Sequence, residues 1–265
     1  MSTSNRQKPV VVKIGGSTLG SNDTTFQDVA VLQRRGTPVV VVHGGGKVIT
    51  DWMQKLGVQA RFVRGLRVTD AASLEVVVAV LCGLVNKQLV ADVAAAGARA
   101  LGMSGVDGGM LGGRVLDPEL GYVGEVTHVE PKPVLDAIAA GYVPVIAPVA
   151  MNRAAAKGTP AFLNVNADTA AGELAAALGA ERLIFLTDVE GVLDGDKKLV
   201  RRLAPAGAKA LISSGVAGGG MIPKLEACLK ALSSAPCAQI IDGRIPNALM
   251  DALAGKQAGT LVERG

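Results

Sequence analysis

The chain has 265 residues, enough for one large α/β domain or two closely packed lobes but short for two full enzymatic domains. Hydrophobic residues make up 49% and charged residues 19%, which excludes a disordered chain; with only 3% aromatics the core must be Ala, Val and Leu, as suits helices packed on a parallel sheet. The net charge of +4 suits a small anionic substrate, while the lack of a dense Lys/Arg run and of stacking aromatics argues against nucleic acid.

In chain order, Pro9–Ile14 reads as a buried strand ended by Gly15-Gly16. Asn22-Asp23 can cap a helix to about Arg35, stopped by Gly36. Pro38–Val42 is a second valine strand, ended by His43-Gly44-Gly45-Gly46, with a helix after it to about Leu56. Gly57–Val63 looks like a short hairpin segment, and Asp70 caps a long helix over about 71–96 that stops at Gly97. Its richest stretch, Val76–Val85, reads as a buried helix and not as a membrane span, because no run of 18 apolar residues occurs. Ala98–Met103 is a strand, Gly105–His128 a hairpin excursion, 131–140 a helix and Tyr142–Ala147 a strand. Residues 148–163 form a loop or a second hairpin. Then come a helix at Asp168–Leu178, a strand at Arg182–Thr187, helices near 205–214 and 220–234, a strand at Gln239–Asp242, a helix at 246–254 and a last strand at Gly259–Val262. Lys197-Lys198 and Arg201-Arg202 read as a solvated loop face.

This alternation predicts an α/β fold, a three-layer αβα sandwich around an open, mostly parallel central sheet. The two halves are expected to share that sheet, with a seam near residues 165–180. Ligands of such sheets bind outside the carboxyl ends of the strands. Four strands end there in glycine or polar segments: Lys13–Ser17, His43–Gly46, Gly105–Gly109 and Thr187–Gly191.

The three cysteines (Cys82, Cys228, Cys237) lack CxxC spacing and read as small hydrophobes in a reducing cytosol. Residues 1–9 are polar, without the apolar stretch of a signal peptide, so a cytoplasmic location is expected. There is no G-x-x-x-x-G-K-[ST], G-x-G-x-x-G, H-E-x-x-H or G-x-S-x-G, and the two histidines, His43 and His128, lie far apart. Glycine, at 34 residues or about 13% against a usual ~7%, is the outlier. Gly15-Gly16 and Gly44-Gly45-Gly46 can hold anionic oxygens on backbone N–H groups ahead of helices, or can simply be tight turns. Lys13 inside an apolar strand is costly without an anion, unless it sits on an edge strand and reaches solvent. Lys224 opens a helix after a glycine loop and, alone, reads as a surface lysine. Asp168 is either a helix cap or a clamp between the two lysines.

Taken in order, Val-Lys13-Ile-Gly-Gly-Ser, Val-His43-Gly-Gly-Gly, Gly65-Leu-Arg67-Val-Thr-Asp70, Gly83-Leu-Val-Asn86-Lys87, Asn164-Val-Asn-Ala-Asp168, Leu-Thr187-Asp-Val-Glu-Gly-Val-Leu193 and Gly220-Met-Ile-Pro-Lys224 resemble the N-acetylglutamate kinases of the amino-acid kinase family, from Val10 to Thr260. The resemblance implies ATP-dependent phosphorylation of the N-acetyl-L-glutamate side-chain carboxylate, as a step of arginine biosynthesis. It implies that Lys13 and Lys224 flank the phosphoryl group and that Asp168 orients them. Gly15, Gly16, Gly44 and Gly45 would donate N–H groups to phosphate and substrate. Arg67 would clamp the α-carboxylate, and Asn164 would bind the same amino acid. Asp188, Val189, Glu190, Gly191, Val192, Leu193, Val216 and Ala217 would bind the nucleotide. Mg²⁺ is expected through the ATP phosphates, with no protein metal cage.

The resemblance further implies a single domain, with an N-lobe (1–170) for substrate and dimerisation and a C-lobe (171–265) for ATP. A homodimer without nucleic-acid or membrane partners is expected. So is insensitivity to arginine, because only about nine residues precede the first strand, where arginine-inhibited members carry an extra helix. Gly255–Thr260 keeps only part of the family's Gly-x-Gly-Thr ending, and Asn247 stands where His is frequent; both bear on effector binding. The rival reading is a sister kinase acting on carrier-linked aminoadipate or glutamate. A non-catalytic regulator on the same fold would have lost Lys13, Asp168 or Lys224.

Overall fold

The computed structural model describes residues 7–15 and 24–264. Its main sheet has eight strands in the order β12-β14-β13-β11-β1-β2-β8-β5. These are β1 (Val10–Ile14), β2 (Val39–His43), β5 (Ala100–Ser104), β8 (Val143–Ala147), β11 (Arg182–Thr187), β12 (Arg202–Leu203), β13 (Cys237–Asp242) and β14 (Thr260–Glu263). All neighbours are parallel except β13 and β14. The expected mostly parallel α/β sheet is therefore present, and it runs unbroken from the first half of the chain into the second through β1 and β11.

The valine runs explain the layering. Strands buried on both faces have no need of polar alternation. Val10, Val12, Ile14, Val39 and Val41 join one core cluster, whereas Val11, Val40 and Val42 join the other. The first core lies under α1 (Thr25–Arg34), α2 (Gly46–Lys55), α3 (Ala71–Val78), α4 (Asn86–Ala95) and α9 (Ala248–Leu253). The second lies under α5 (Lys132–Ala139), α6 (Ala167–Ala177), α7 (Pro205–Ser213) and α8 (Met221–Ala231). Period-2 alternation puts Lys13 on the same face as Val11, toward α6.

β1 is paired on both sides, by β2 and β11, so Lys13 is not an edge-strand lysine and is only 7% exposed. The caps Asn22 and Asp23 lie outside the described residues. The 57–63 segment extends further than expected, as β3 (Arg61–Val63) and β4 (Leu66–Val68) turn through Arg64-Gly65. β6 (Leu111–Val115) and β7 (Gly124–Val129) form the predicted excursion. β9 (Val149–Asn152) and β10 (Phe162–Asn164) settle 148–163 as a hairpin and join the excursion in a four-stranded sheet. β12 was not foreseen; two residues are too few for a period to show, and Arg202 stays exposed there.

The long helix is continuous over 71–95 but carries a π-helical segment, Ala79–Val85, between α3 and α4. Asp70 caps it, accepting from Ser73 N at 2.8 Å. By length and composition this helix could cross a membrane. Its face of Val77, Val80, Leu81, Val85, Leu89 and Val93 is instead buried in the first core.

Candidate active site

At the carboxyl end of β1, Lys13 Nζ lies 2.6 Å from Asp168 Oδ1, and Lys224 Nζ lies 2.9 Å from Asp168 Oδ2. Three charges from three elements thus form one bridge. Asp168 is free to make it because Asn166 caps α6, accepting from the N–H groups of Asp168 and Thr169 at 2.8 and 3.3 Å. Asp168 is therefore not the cap. α6 and α8 come together because Gly172 faces Ala227; a Cβ there would lie 2.8 Å from the Ala227 backbone. That close approach brings Lys224 to Asp168. Burial opposes ionisation of Asp168, but the attraction of Lys13 and Lys224 outweighs it and holds the carboxyl below the usual range. Burial pulls the Lys13 ammonium down, against the attraction of Asp168.

The glycine loop differs from expectation in one detail. Gly15 N–H donates to the Leu186 carbonyl at 3.2 Å and Gly44 N–H to the Ile14 carbonyl at 3.1 Å, prolonging the sheet ladder past both strands. Neither presents a free donor. The donors without a protein partner among the described residues are those of Gly45 and Gly46, at the start of α2, where helix N–H groups point outward. Gly46 was read as part of the anion-holding glycine run but not among the donors that the resemblance implied, where Gly44 stood in its place. Gly16 lies outside the described residues.

Gly44, Gly45 and Gly46 line a cavity of about 200 Å³ with Phe62, Arg67, Leu81 and Asn164. Arg67 is buried, and its partners are all neutral: Gly46 O at 2.9 Å, Thr50 Oγ1 at 2.8 Å and Met53 Sδ at 3.2 Å. Its guanidinium stacks 4.7 Å from the Phe62 ring centroid. A buried arginine held only by neutral groups is preorganised for an anion. Asn164 is oriented by a chain of donors: the Thr69 hydroxyl donates to Arg67 O at 2.9 Å, so it accepts from Asn164 Nδ2 at 3.0 Å, which leaves Asn164 Oδ1 as an acceptor. Thr69 and Phe62 were also missed; in a three-residue hairpin strand, or one residue past its end, nothing in their pattern sets them apart.

The nucleotide candidates split in two. Val189, Leu193 and Val216 are 40%, 44% and 42% exposed, an unusual set of bare aliphatic side chains. The two segments approach each other, since a Cβ on Gly195 would lie 4.0 Å from Val216 Cγ2. Asp188 and Glu190 flank this patch. Val192 and Ala217 are core residues, and Gly191 packs against Thr260, so these three shape the patch and do not face it.

His43 is wholly buried, and burial pushes its pKa down to about 4. The unfolded chain, titrating near 6.5, takes up this proton before the folded one does. Stability should therefore fall as pH drops from 6.5 toward 4, by about 3 kcal/mol in all. A urea midpoint that stays flat across that interval would contradict this.

Residues 8–242 match the amino acid kinase family. The chain belongs to that family. Acetylglutamate kinase from Dehalococcoides mccartyi is 45% identical over 254 residues, covering 96% of this chain and 93% of the relative. Among solved structures, smu.665 from Streptococcus mutans UA159 superimposes with a TM-score of 0.82 at 27% identity, over 97% of this chain and 98% of that one. Carbamate kinase from Giardia lamblia, bound to AMP-PNP, shares the fold at a TM-score of 0.69 and 17% identity, over 98% of this chain and 99% of that one.

Proposed function

We propose that the chain transfers the γ-phosphoryl group of ATP to the side-chain carboxylate of N-acetyl-L-glutamate, forming an acyl phosphate for arginine biosynthesis. The observation that carries this reading is the Lys13–Asp168–Lys224 bridge beside the Gly45-Gly46 donors and the anion-ready Arg67, in a chain similar to acetylglutamate kinases over 96% of its length.

The acceptor carboxylate is already ionised at neutral pH, so no general base is needed. The obstacle is repulsion between carboxylate and triphosphate. Lys13 and Lys224, held apart by one carboxylate, spread positive charge around the transferred group, and Gly45 and Gly46 add N–H donors. Arg67 holds the α-carboxylate, Asn164 Oδ1 accepts from the acetamido N–H, and Leu81 and Val123 lie near enough to receive the methyl group. The Val189, Leu193 and Val216 patch receives the adenosine. Mg²⁺ would be held by the nucleotide phosphates, where it would neutralise their charge; both oxygens of Asp168 already face lysines, and no three His, Cys, Asp or Glu side chains gather among the described residues.

Residues 1–170 serve substrate and dimerisation and 171–265 serve ATP, within one domain. A cytoplasmic homodimer is the proposed form. Half-exposed Leu84 on the long helix and Phe162 on β10 support a pairing face there.

The test is an ATP-dependent hydroxamate assay with N-acetylglutamate, with and without arginine, beside a carrier-linked aminoadipate. Turnover of the free acetylated amino acid, unaffected by arginine, is expected; turnover of the carrier-linked compound alone would overturn the reading. Arg67→Lys should raise KM for N-acetylglutamate about tenfold or more and leave KM for ATP nearly unchanged, because an ammonium cannot reproduce the stacked fork. Equal effects on both substrates would remove Arg67 from the acceptor site.

A further inference from the structure

His43 closes β2 with its ring wholly buried, and no step of the proposed transfer uses it. Its Nδ1 lies 2.9 Å from the Gly44 carbonyl, which can only accept. Its Nε2 lies 3.1 Å from Asn86 Nδ2, which can only donate. Asn86 is fixed in that sense, because the same nitrogen donates to the Val145 carbonyl at 2.9 Å and its Oδ1 accepts from Lys87 Nζ at 3.0 Å. Two one-way neighbours leave the ring a single form: neutral, with its proton on Nδ1. The nearby charges of Lys13 and Lys87 also disfavour a second proton.

The Gly44–Gly45 peptide is trans, so the Gly44 carbonyl and the Gly45 N–H point in opposite directions across one plane. The Gly44 N–H on the preceding plane is tied to Ile14. Between two glycines a peptide plane turns over easily. A flip here would present a carbonyl oxygen to an anion in place of a donor. The Gly45 N–H has no protein partner among the described residues, and Gly45 lines the cavity beside Gly46 and Arg67.

We infer that His43 is a positioning residue: its Nδ1–H latches the Gly44 carbonyl and so aims the Gly45 N–H at the anionic oxygens of the proposed transfer. This inference rests on the reading of the site given above. It also accounts for the only buried histidine in a reaction that needs no base.

The test compares two amide replacements. In His43→Asn the side-chain amide nitrogen falls near the place of Nδ1 and keeps the donor. In His43→Gln the amide falls near the place of Nε2 and keeps the Asn86 contact but loses the latch. His43→Gln should lose roughly 10²-fold in kcat, the loss typical of one oxyanion donor, with KM for ATP little changed, and His43→Asn should recover most of it. Thermal midpoints are measured alongside. Activity that tracks the midpoints, or equal losses in both variants, would overturn the inference. A second measurement needs no variant. Nitrogen-15 histidine spectra of the whole protein contain only two histidines, and His43 should show a protonated Nδ1 and a bare Nε2 from about pH 6 to pH 8. The opposite tautomer, or a charged ring, would sink the latch. If the wild type fails to phosphorylate N-acetylglutamate, the functional reading fails while the tautomer can still be read. An active wild type with indifferent variants defeats the latch alone.

Discussion

Lys13→Arg should lower kcat roughly 10²–10³-fold while leaving the protein folded and KM for N-acetylglutamate within about threefold. The charge survives, but its position does not. Lys13 Nζ sits 2.6 Å from Asp168 in the centre of the sheet, on a strand paired on both sides. A guanidinium is planar and longer, and the buried face that holds Lys13 has room for a point charge at the end of a straight stem. Preorganised charge acts only where charge develops in the transition state, so a displacement of an ångström or two suffices. A kcat within threefold of the wild type would refute the assigned role. Steady-state kinetics in both substrates, with a thermal melt as control, decide it.

Asp168→Asn should be costly twice over. It leaves Lys13 and Lys224 facing each other with no carboxylate between them, although each is at most 15% exposed at its side chain. Breaking a buried ion pair from one side typically costs about 3–5 kcal/mol. The variant should also lose most of its turnover, since two repelling ammonium groups cannot hold a common geometry. The sign of the pH effect is specific. Burial already draws the Lys13 ammonium below its ordinary value, and without Asp168 the chief opposing attraction is lost, leaving only that of Asp188. A lysine whose folded value is depressed binds fewer protons folded than unfolded, so stability rises with pH up to 10.5. The stability gap to wild type, read from urea midpoints, should narrow as pH rises toward 10.5. A gap that widens, or no gap at pH 7, would contradict the bridge.

Much of this site could be read from the order of residues because its chemistry is unusual in composition. A lysine inside Val-Val-Val-Lys13-Ile and a triple glycine after four valines break strong local patterns, and such breaks mark function. The strands were equally legible, since valine runs bounded by glycine leave little choice. What stayed hidden depends on partners distant in sequence. Asp168 could have been a cap until Asn166 took that place. Gly15 and Gly44 looked like donors, but whether an N–H is free depends on the ladder beside it, and Leu186 and Ile14 claim both. Thr69, Asn86 and His43 each act by orienting another group, and orientation leaves no mark on spacing. The π-helical segment at Ala79–Val85 is invisible for a different reason: a single added residue in a turn barely shifts an apolar period.

The position of β1 has a consequence for how the chain is made. Val10 pairs with Val39 on one side and with Arg182 on the other. The first partner leaves the ribosome soon after β1, whereas the second follows only after most of the molecule has been synthesised. Until then the growing chain exposes one side of a strand that is apolar but for Lys13, with unpaired N–H and C=O groups along it. The lysine that anchors the reaction lies on that strand, so catalytic competence and the sealing of the nascent edge are completed by the same late pairing event.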